Sequence, residues 1–236
     1  MDLPQHKIFL DYEKDMKEGD DATYYVLGYK FRDTFEQIII NPHLLGLAEH
    51  RNIEIKNVLE ATKHMFEMAI HYNAAIVAYS EAEKNIFEQL NISSDLSKYS
   101  QIKYINLLKA TKSWINKDPK RKKLFDSLEP FRKKLKPYEQ RLIKKYSLGS
   151  VMRLTNCQAP SNYAPNKISQ YFKMVIKSLE NKNQNYDKLT PLQKRKATTS
   201  LQHNKYDVEA LPILYDTIFK TSGTSHLKRS VKKCFN

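Results

Sequence analysis

The feature that most constrains the fold is a continuous apolar run at residues 74–79, which lies between two segments of helical pattern. Residues 57–72 before it place apolar side chains at intervals of three and four, the period of an amphipathic helix. A half-exposed strand would alternate apolar and polar residues, so the unbroken run predicts a fully buried strand. After it, Ser80 is a good N-cap, and residues 82–90 continue as a helix. This alternation predicts an α/β fold.

Three further strands are predicted before the first helix. Residues 8–10 form a short apolar run, residues 22–29 are rich in aromatic and β-branched side chains, and residues 35–41 end at an Asn-Pro turn. Short connections between consecutive strands favour an antiparallel meander. Residues 104–108 fit either a short strand or the start of a helix, and the pattern does not decide between them.

Two carboxylates follow the first apolar run. Asp11 and Glu13 are two residues apart, and in an extended chain such residues share a face. Carboxylates held this close repel each other unless a cation or a proton compensates their charge. Oxygen-rich sites of this kind bind Mg²⁺ or Mn²⁺. The alternative is a solvated strand end that leads into an acidic loop at residues 14–21.

The charge of the chain is strongly asymmetric. Residues 1–97 carry 17 acidic and 9 basic side chains, a net charge of −8, whereas residues 98–236 carry 9 acidic and 31 basic ones, a net charge of +22. A basic surface of this size attracts polyanions, so nucleic acid is the first partner to expect and an anionic membrane surface the second. The alternative is that Lys-rich helices reflect a biased composition without a partner.

The densest basic segment also carries a helical pattern. Apolar residues recur at helical spacing through residues 117–145, which predicts an ordered helical insertion at about residues 110–145. That insertion would belong to a single domain of residues 1–220, followed by a basic C-terminal tail at 221–236. The candidate phosphate-binding side chains are Lys120, Arg121, Lys122, Lys123, Arg132, Lys133, Lys134, Lys144, Lys145 and Arg153.

Several other classes of protein are disfavoured by the composition. No apolar run approaches the roughly 20 residues of a membrane helix, and the N-terminus lacks the pattern of a signal peptide, so a cytoplasmic protein without a membrane partner is expected. The chain has five glycines, which makes a phosphate-binding loop of the P-loop or dinucleotide type improbable. Its two cysteines show no zinc spacing.

Three segments, taken in their order along the chain, resemble the ribonuclease H-like exonucleases of the DEDD superfamily. The segments are residues 8–13 (IFLDYE), 76–83 (IVAYSEAE) and 203–211 (HNKYDVEAL), and residues 146–154 resemble the segment that follows the second motif in these proteins. The likeness is nearest to the RecB- and CRISPR-associated branch of that superfamily. It implies a mixed sheet with a three-stranded antiparallel meander and added parallel strands, flanked by helices.

The resemblance also implies a site. Four carboxylates would bind two divalent ions, Mg²⁺ or Mn²⁺, with Asp11 and Glu13 in the first motif, Glu83 in the second and Asp207 in the last. His203, four residues before Asp207, would act on the attacking water. Glu83 stands where an Asp is usual, with helix capping as its other explanation and Glu81 as the fallback ligand. Asn106 occupies a position where related chains often carry Asp.

The function implied is a two-metal nuclease, an exonuclease that works in the 3′ to 5′ direction on a single-stranded end of DNA or RNA. The basic half would hold the backbone, and stacking of bases could fall to Trp114, Tyr138, Tyr146, Tyr163 or Phe172. One alternative is a catalytically inactive nucleic-acid-binding protein or accessory subunit of the same fold. The length and charge of the chain would also allow it to act as one subunit of a larger complex. The other alternative is a helical interaction protein in which Asp11, Glu13 and Asp207 never meet.

Overall fold

The structure is a computed structural model that describes residues 4–15, 22–89, 99, 101–127, 146–155 and 167–220. Residues 14 and 15 of the acidic loop predicted at 14–21 belong to the first strand and not to a loop, whereas residues 16–21 and the basic tail predicted at 221–236 lie outside the described residues. So do five of the predicted phosphate-binding side chains and two of the predicted stacking residues: Arg132, Lys133, Lys134, Lys144, Lys145, Tyr138 and Tyr163.

The described residues contain one six-stranded mixed sheet. The strands are β1 (His6–Asp15), β2 (Thr23–Phe31), β3 (Thr34–Ile39), β4 (Glu54–Ile55), β5 (Ala74–Ala78) and β6 (Tyr104–Asn106), in the spatial order β4-β3-β2-β1-β5-β6. The first three form an antiparallel meander, and β5 and β6 add to β1 in parallel. The predicted α/β fold with a mixed sheet is confirmed.

Eight α-helices lie among the described residues. They are α1 (Leu45–Arg51), α2 (Val58–His71), α3 (Glu81–Gln89), α4 (Leu107–Asn116), α5 (Pro119–Ser127), α6 (Leu148–Met152), α7 (Ile168–Glu180) and α8 (Pro191–Phe219), with short 3₁₀ turns at Pro42–Leu44, Arg153–Thr155 and Tyr186–Lys188. Within these residues, no helix has both the length and the apolar composition needed to cross a bilayer.

The helices cover both faces of the sheet. On one face, α2 and α3 pack through Met65, Phe66 and Ile86 against even-numbered residues of β1 such as Ile8 and Leu10. On the other face, α8 crosses β1 and β2, with α7 on one side of it and α4, α5 and α6 on the other. The central strand β1 is therefore covered on both sides.

Local signals explain where several helices begin. Asn57 and Glu60 form a capping box at the start of α2, and Thr190 and Gln193 form another at the start of α8. Asn106 caps α4 by accepting a hydrogen bond from the main-chain N–H of Lys109 at 2.9 Å. The segment 104–108, whose pattern fits either a strand or a helix start, therefore contains both: the three-residue strand β6 passes directly into the capped helix α4.

One expectation is corrected: the first strand does not end at Leu10, since main-chain pairing with β2 continues past Asp11 and Glu13 to Asp15.

Helix α8 runs unbroken through Pro212. Buried side chains on both sides of this proline, such as Leu211 and Leu214, fix the helix against the sheet although one main-chain hydrogen bond is lost.

Candidate metal centre

One edge of the sheet collects the candidate residues. Because β1, β5 and β6 run parallel, their C-terminal ends point to the same edge. Asp11 and Glu13 lie on the face of β1 that is covered by α8, whereas Tyr12 between them points to the opposite face and hydrogen-bonds Thr62 of α2 at 2.9 Å. The extended backbone thus delivers both carboxylates to one side, as the spacing predicts.

Helix α8 brings the last motif to these carboxylates. His203 and Asp207 are four residues apart on one helix face, and His203 Nε2 lies 3.2 Å from Asp207 Oδ2 and 3.7 Å from Glu13 Oε1. The side chains of Glu13 and Asp207 are only 14% and 13% exposed. Glu13, His203 and Asp207 each offer one ligand atom, and these atoms all lie within 4.8 Å of one another, which is the spacing of a metal-binding cluster.

Glu83 reaches the same region from the first turn of α3. It is 6% exposed, and its Oε2 accepts hydrogen bonds from the Ser80 hydroxyl at 2.8 Å and the Ser80 main-chain N–H at 3.2 Å. Glu83 therefore caps its helix, as the alternative explanation expects. Its charge nevertheless raises the pKa values of Asp11 and Glu13, so it belongs to the same cluster of carboxyl groups.

The cluster is electrostatically unfavourable without a cation. Burial raises the pKa of Asp11 well above its ordinary value, and the negative charges of Asp207 and Glu83 raise it further. Burial likewise raises the pKa of Glu13, and the negative charges of Asp11, Asp207 and Glu83 raise it further. Burial also lowers the pKa of His203 to about 4, so this imidazole is neutral at physiological pH and does not supply the missing positive charge.

A hydrogen-bond network that sequence reasoning missed surrounds Asp11. The amide of Asn204 donates to both the main-chain oxygen and Oδ2 of Asp11, each at 3.1 Å, and accepts from Gln37 at 2.9 Å. Gly28 is the residue of β2 directly opposite Asp11. A glycine inside a strand often marks the close approach of another group, and this was the available signal.

Lys14 is a second residue that the sequence did not single out. Its half-buried ammonium donates to the main-chain oxygen of Ala82 at 3.3 Å and lies 5.8 Å from the centre of the Tyr24 ring. Burial lowers the pKa of Lys14, whereas the charges of Glu83 and Asp11 act to raise it. Lys14 therefore offsets part of the negative charge at the edge of the cluster.

Two residues that the resemblance brought into question lie outside the cluster. Glu81 is partly exposed and forms an ion pair with Lys109, which lowers the pKa of Glu81. Asn106 accepts the capping hydrogen bond of α4. The first turn of α3 therefore directs Glu83, and not Glu81, toward Asp11 and Glu13.

The described basic side chains lie apart from the carboxylates in sequence and differ in their surroundings. Lys120, Lys122 and Lys123 are exposed on α5, and Arg153 is exposed in the 3₁₀ turn after α6. Arg121 instead stacks on Trp114, with its guanidinium carbon 3.9 Å from the ring centre, and pairs with Asp118. Arg121 thus has a structural role on this helix.

The candidate stacking residues that the structure describes differ in their exposure and packing. Phe172 is fully buried and stacks on Tyr25 at 4.8 Å between ring centres, so the suggestion that it stacks nucleic-acid bases is wrong. Its helical spacing reflects core packing. Tyr146 stacks on Phe125 at 5.0 Å, and Trp114 is covered on one face by Arg121, although both remain partly exposed.

The donor set suits hard divalent cations. Carboxylate oxygens from β1, α3 and α8 are the ligand type that Mg²⁺ and Mn²⁺ prefer. Oε1 of Glu13 is buried and has no hydrogen-bond partner among the residues that the structure describes. A buried carboxylate oxygen without a donor is a plausible place for a cation, so the residues present fit a metal site.

No protein-family model, curated protein or solved structure matches this chain. The chemistry of the cluster is therefore judged from its own geometry.

Proposed function

We propose that this chain is a divalent-metal-dependent nuclease that hydrolyses phosphodiester bonds of DNA or RNA with two bound Mg²⁺ or Mn²⁺ ions. One observation carries the proposal: four largely buried carboxyl groups, from Asp11, Glu13, Glu83 and Asp207, converge on one edge of the sheet. Bound divalent cations would offset the mutual repulsion of these groups.

The four carboxylates would hold the ions. When bound, two divalent ions supply charge stabilisation to the attacking and leaving oxygens of a phosphodiester displacement. The residues themselves contribute a rigid arrangement, because Asp11 and Glu13 lie within a paired strand and Asp207 lies within a 29-residue helix. Groups on strands and helices hold a defined geometry better than groups on loops.

His203 would orient the attacking water. Since burial lowers its pKa to about 4, the imidazole is uncharged at neutral pH and would accept a hydrogen bond from that water. Its position beside Glu13 and Asp207 puts it within the cluster in which the water would be activated.

The polarity of degradation, from the 3′ end toward the 5′ end, is proposed from the resemblance described above. The order of the three motifs, and the meander with two added parallel strands, resemble what is expected of ribonuclease H-like exonucleases of the DEDD superfamily. On this basis we propose the same fold family and 3′ to 5′ exonuclease activity on a single-stranded end. Exposed lysines on α5 would neutralise backbone phosphates.

The test is degradation of 3′- and 5′-labelled single and double strands of DNA and RNA in the presence of Mn²⁺. We expect stepwise release from the 3′ end by the wild-type protein and none with chelator. Asp11→Asn, which keeps the shape of the side chain and removes its charge, should lower the rate by about 100-fold or more, since even residues around metal ligands contribute 10- to 100-fold.

Two results would count against the proposal. Equal rates for wild type and Asp11→Asn would exclude the site, because a contaminating nuclease would then be the source of the activity. Binding of Mn²⁺ without cleavage of any strand would favour the alternative of an inactive nucleic-acid-binding protein.

A further inference from the structure

We propose that Asn204 is a positioning residue that orients the Asp11 carboxylate for divalent cations and fixes helix α8 to strand β1 at the metal centre. The inference rests on the proposed function, because it assigns a role to Asn204 in the same site. Asn204 does not itself offer a ligand to the ions. It acts through Asp11.

The hydrogen bonds of Asn204 define its orientation. Its Nδ2 donates to the main-chain oxygen and to Oδ2 of Asp11, each at 3.1 Å, and its Oδ1 accepts from Gln37 Nε2 at 2.9 Å. Gln37 is held in turn, since its Nε2 also donates to the main-chain oxygen of Leu201 at 3.0 Å. A flip of the Asn204 amide would break all three of its own bonds, so the side chain is locked.

The burial of Asn204 makes these bonds important. The residue is fully buried, at 0% exposure, in the layer between α8 and the sheet. A buried amide that loses its partners is destabilising, because its polar groups are then left without a hydrogen bond. An apolar residue would be the less costly choice for packing alone, so the amide is explained by the orientation that it gives Asp11.

Gly28 provides the space for this arrangement. It pairs with Asp11 in the sheet, and a Cβ atom at this position would lie 2.2 Å from Asn204 Oδ1 and 3.0 Å from Val208 Cγ2. Any side chain at residue 28 would therefore displace the Asn204 amide. The two residues act as a pair: the small residue on β2 admits the polar residue on α8.

The consequence is that the Asp11 carboxyl group is oriented by the fold before an ion binds. One of its oxygens is already engaged by Asn204, so rotation of the carboxyl plane is restricted. Hydrogen-bond partners of metal ligands commonly act in this way, and their loss typically lowers metal affinity by 10- to 100-fold.

The test is calorimetric titration of Mn²⁺ into the purified full-length chain and four variants. Asn204→Ala removes the side-chain amide, whereas Gly28→Ala keeps the Asn204 amide but displaces it from Asp11. The double variant Gly28→Ala/Asn204→Ala refills the space without restoring the hydrogen bonds. Ser200→Ala is the matched control, because Ser200 is also fully buried on α8 but its hydroxyl donates only to Lys196 of its own helix.

We expect Mn²⁺ affinity to fall by about 10- to 100-fold in all three variants at residues 28 and 204, and to stay unchanged in Ser200→Ala. Urea unfolding should show that the double variant is more stable than Gly28→Ala, because its clash is removed. Weak Mn²⁺ binding together with recovered stability is the combination that a merely structural role of Asn204 would not produce. If Asn204→Ala does not fold, the double variant carries the same comparison.

Two outcomes would overturn the inference and are distinguishable. Wild-type binding of Mn²⁺ with equal affinity in the double variant would refute the role of Asn204 and leave the proposed function standing. Absence of Mn²⁺ binding by the wild-type protein would refute both.

Discussion

At the residue scale, Asp11 and Glu13 place negative charge where burial and other carboxylates oppose it. Their raised pKa values mean that the folded protein retains protons that the unfolded chain has already released. Without metal, the free energy of unfolding should therefore fall as pH rises from the ordinary values of 3.8 and 4.5 through the raised folded values. A bound cation would remove this cost.

Asp11→Asn should consequently stabilise the metal-free protein at pH 8. An amide at residue 11 cannot ionise, and its neutrality relieves the repulsion on Glu13 and Glu83. We expect a higher free energy of unfolding for the variant, with a difference from wild type that shrinks as the pH is lowered toward 4. Urea denaturation in chelator at several pH values measures the gap. A wild-type protein that is more stable than Asp11→Asn at pH 8 would contradict the expected repulsion.

Glu83 and Glu81 offer a matched pair of substitutions two residues apart. Glu83→Gln should lower Mn²⁺-dependent cleavage by about 100-fold or more, because it removes a carboxylate from the cluster. Glu81→Gln should leave cleavage near the wild-type rate, since Glu81 pairs with Lys109 instead. Cleavage rates of both variants on one labelled strand measure the difference. A larger loss of rate in Glu81→Gln than in Glu83→Gln would assign the metal-binding carboxylate to Glu81 instead of Glu83.

Sequence reasoning at this scale selected ligand types but not their supporting contacts. Asp11 and Glu13 are candidates because of their spacing in an extended segment, whereas His203 and Asp207 are candidates because of the resemblance to ribonuclease H-like exonucleases. Asn204 and Gln37 are 167 residues apart, and their hydrogen bond depends on how α8 crosses β3 and β2. No local pattern encodes that crossing.

At the scale of elements, the two faces of β1 have different tasks. The face toward α8 carries the carboxylates, whereas the face toward α2 is part of the core. Tyr12 connects β1 to α2 by donating its hydroxyl hydrogen to Thr62 Oγ1, which itself donates to the main-chain oxygen of Val58 at 2.7 Å.

Tyr12→Phe should therefore lower the free energy of unfolding by about 1 kcal/mol, the net value of one buried hydrogen bond. Mn²⁺ affinity should not change, because the ring faces away from the cluster. Urea unfolding and Mn²⁺ titration of the same preparation measure both quantities. A fall in affinity without a fall in stability would show that the two faces are not independent.

The elements themselves were largely predictable. Strand β5 follows from an unbroken apolar run, and helix α2 follows from a periodic pattern that extends over several turns. The extent of β1 was not predictable, since Asp11 and Glu13 look like a strand end until their pairing with β2 is known. Strand β4 has two exposed residues and leaves no pattern.

At the scale of the whole molecule, the charge is divided between an acidic first part and a basic second part. The first part supplies Asp11, Glu13 and Glu83, and the second supplies the exposed lysines of α5. The proposed nuclease activity would use both parts, because carboxylates would hold the metal ions and basic groups would hold the phosphate backbone.

Substitution of Lys120, Lys122 and Lys123 by Ala should weaken binding of DNA or RNA about equally for all sequences. Each lysine that contacts a phosphate should reduce the slope of log affinity against log salt by about one. Fluorescence anisotropy of a labelled strand at several salt concentrations measures this slope. Lys63→Ala on the exposed face of α2, in the acidic part, is the control that should leave it unchanged. An unaltered slope in the triple variant would exclude α5 as a phosphate-binding surface.

The most direct measurement is anomalous diffraction from crystals of the wild-type protein soaked in Mn²⁺. We expect two anomalous peaks, about 4 Å apart, among the carboxylates of Asp11, Glu13, Glu83 and Asp207. Strong peaks elsewhere, with none among these four side chains, would contradict the assignment of this cluster as a metal centre.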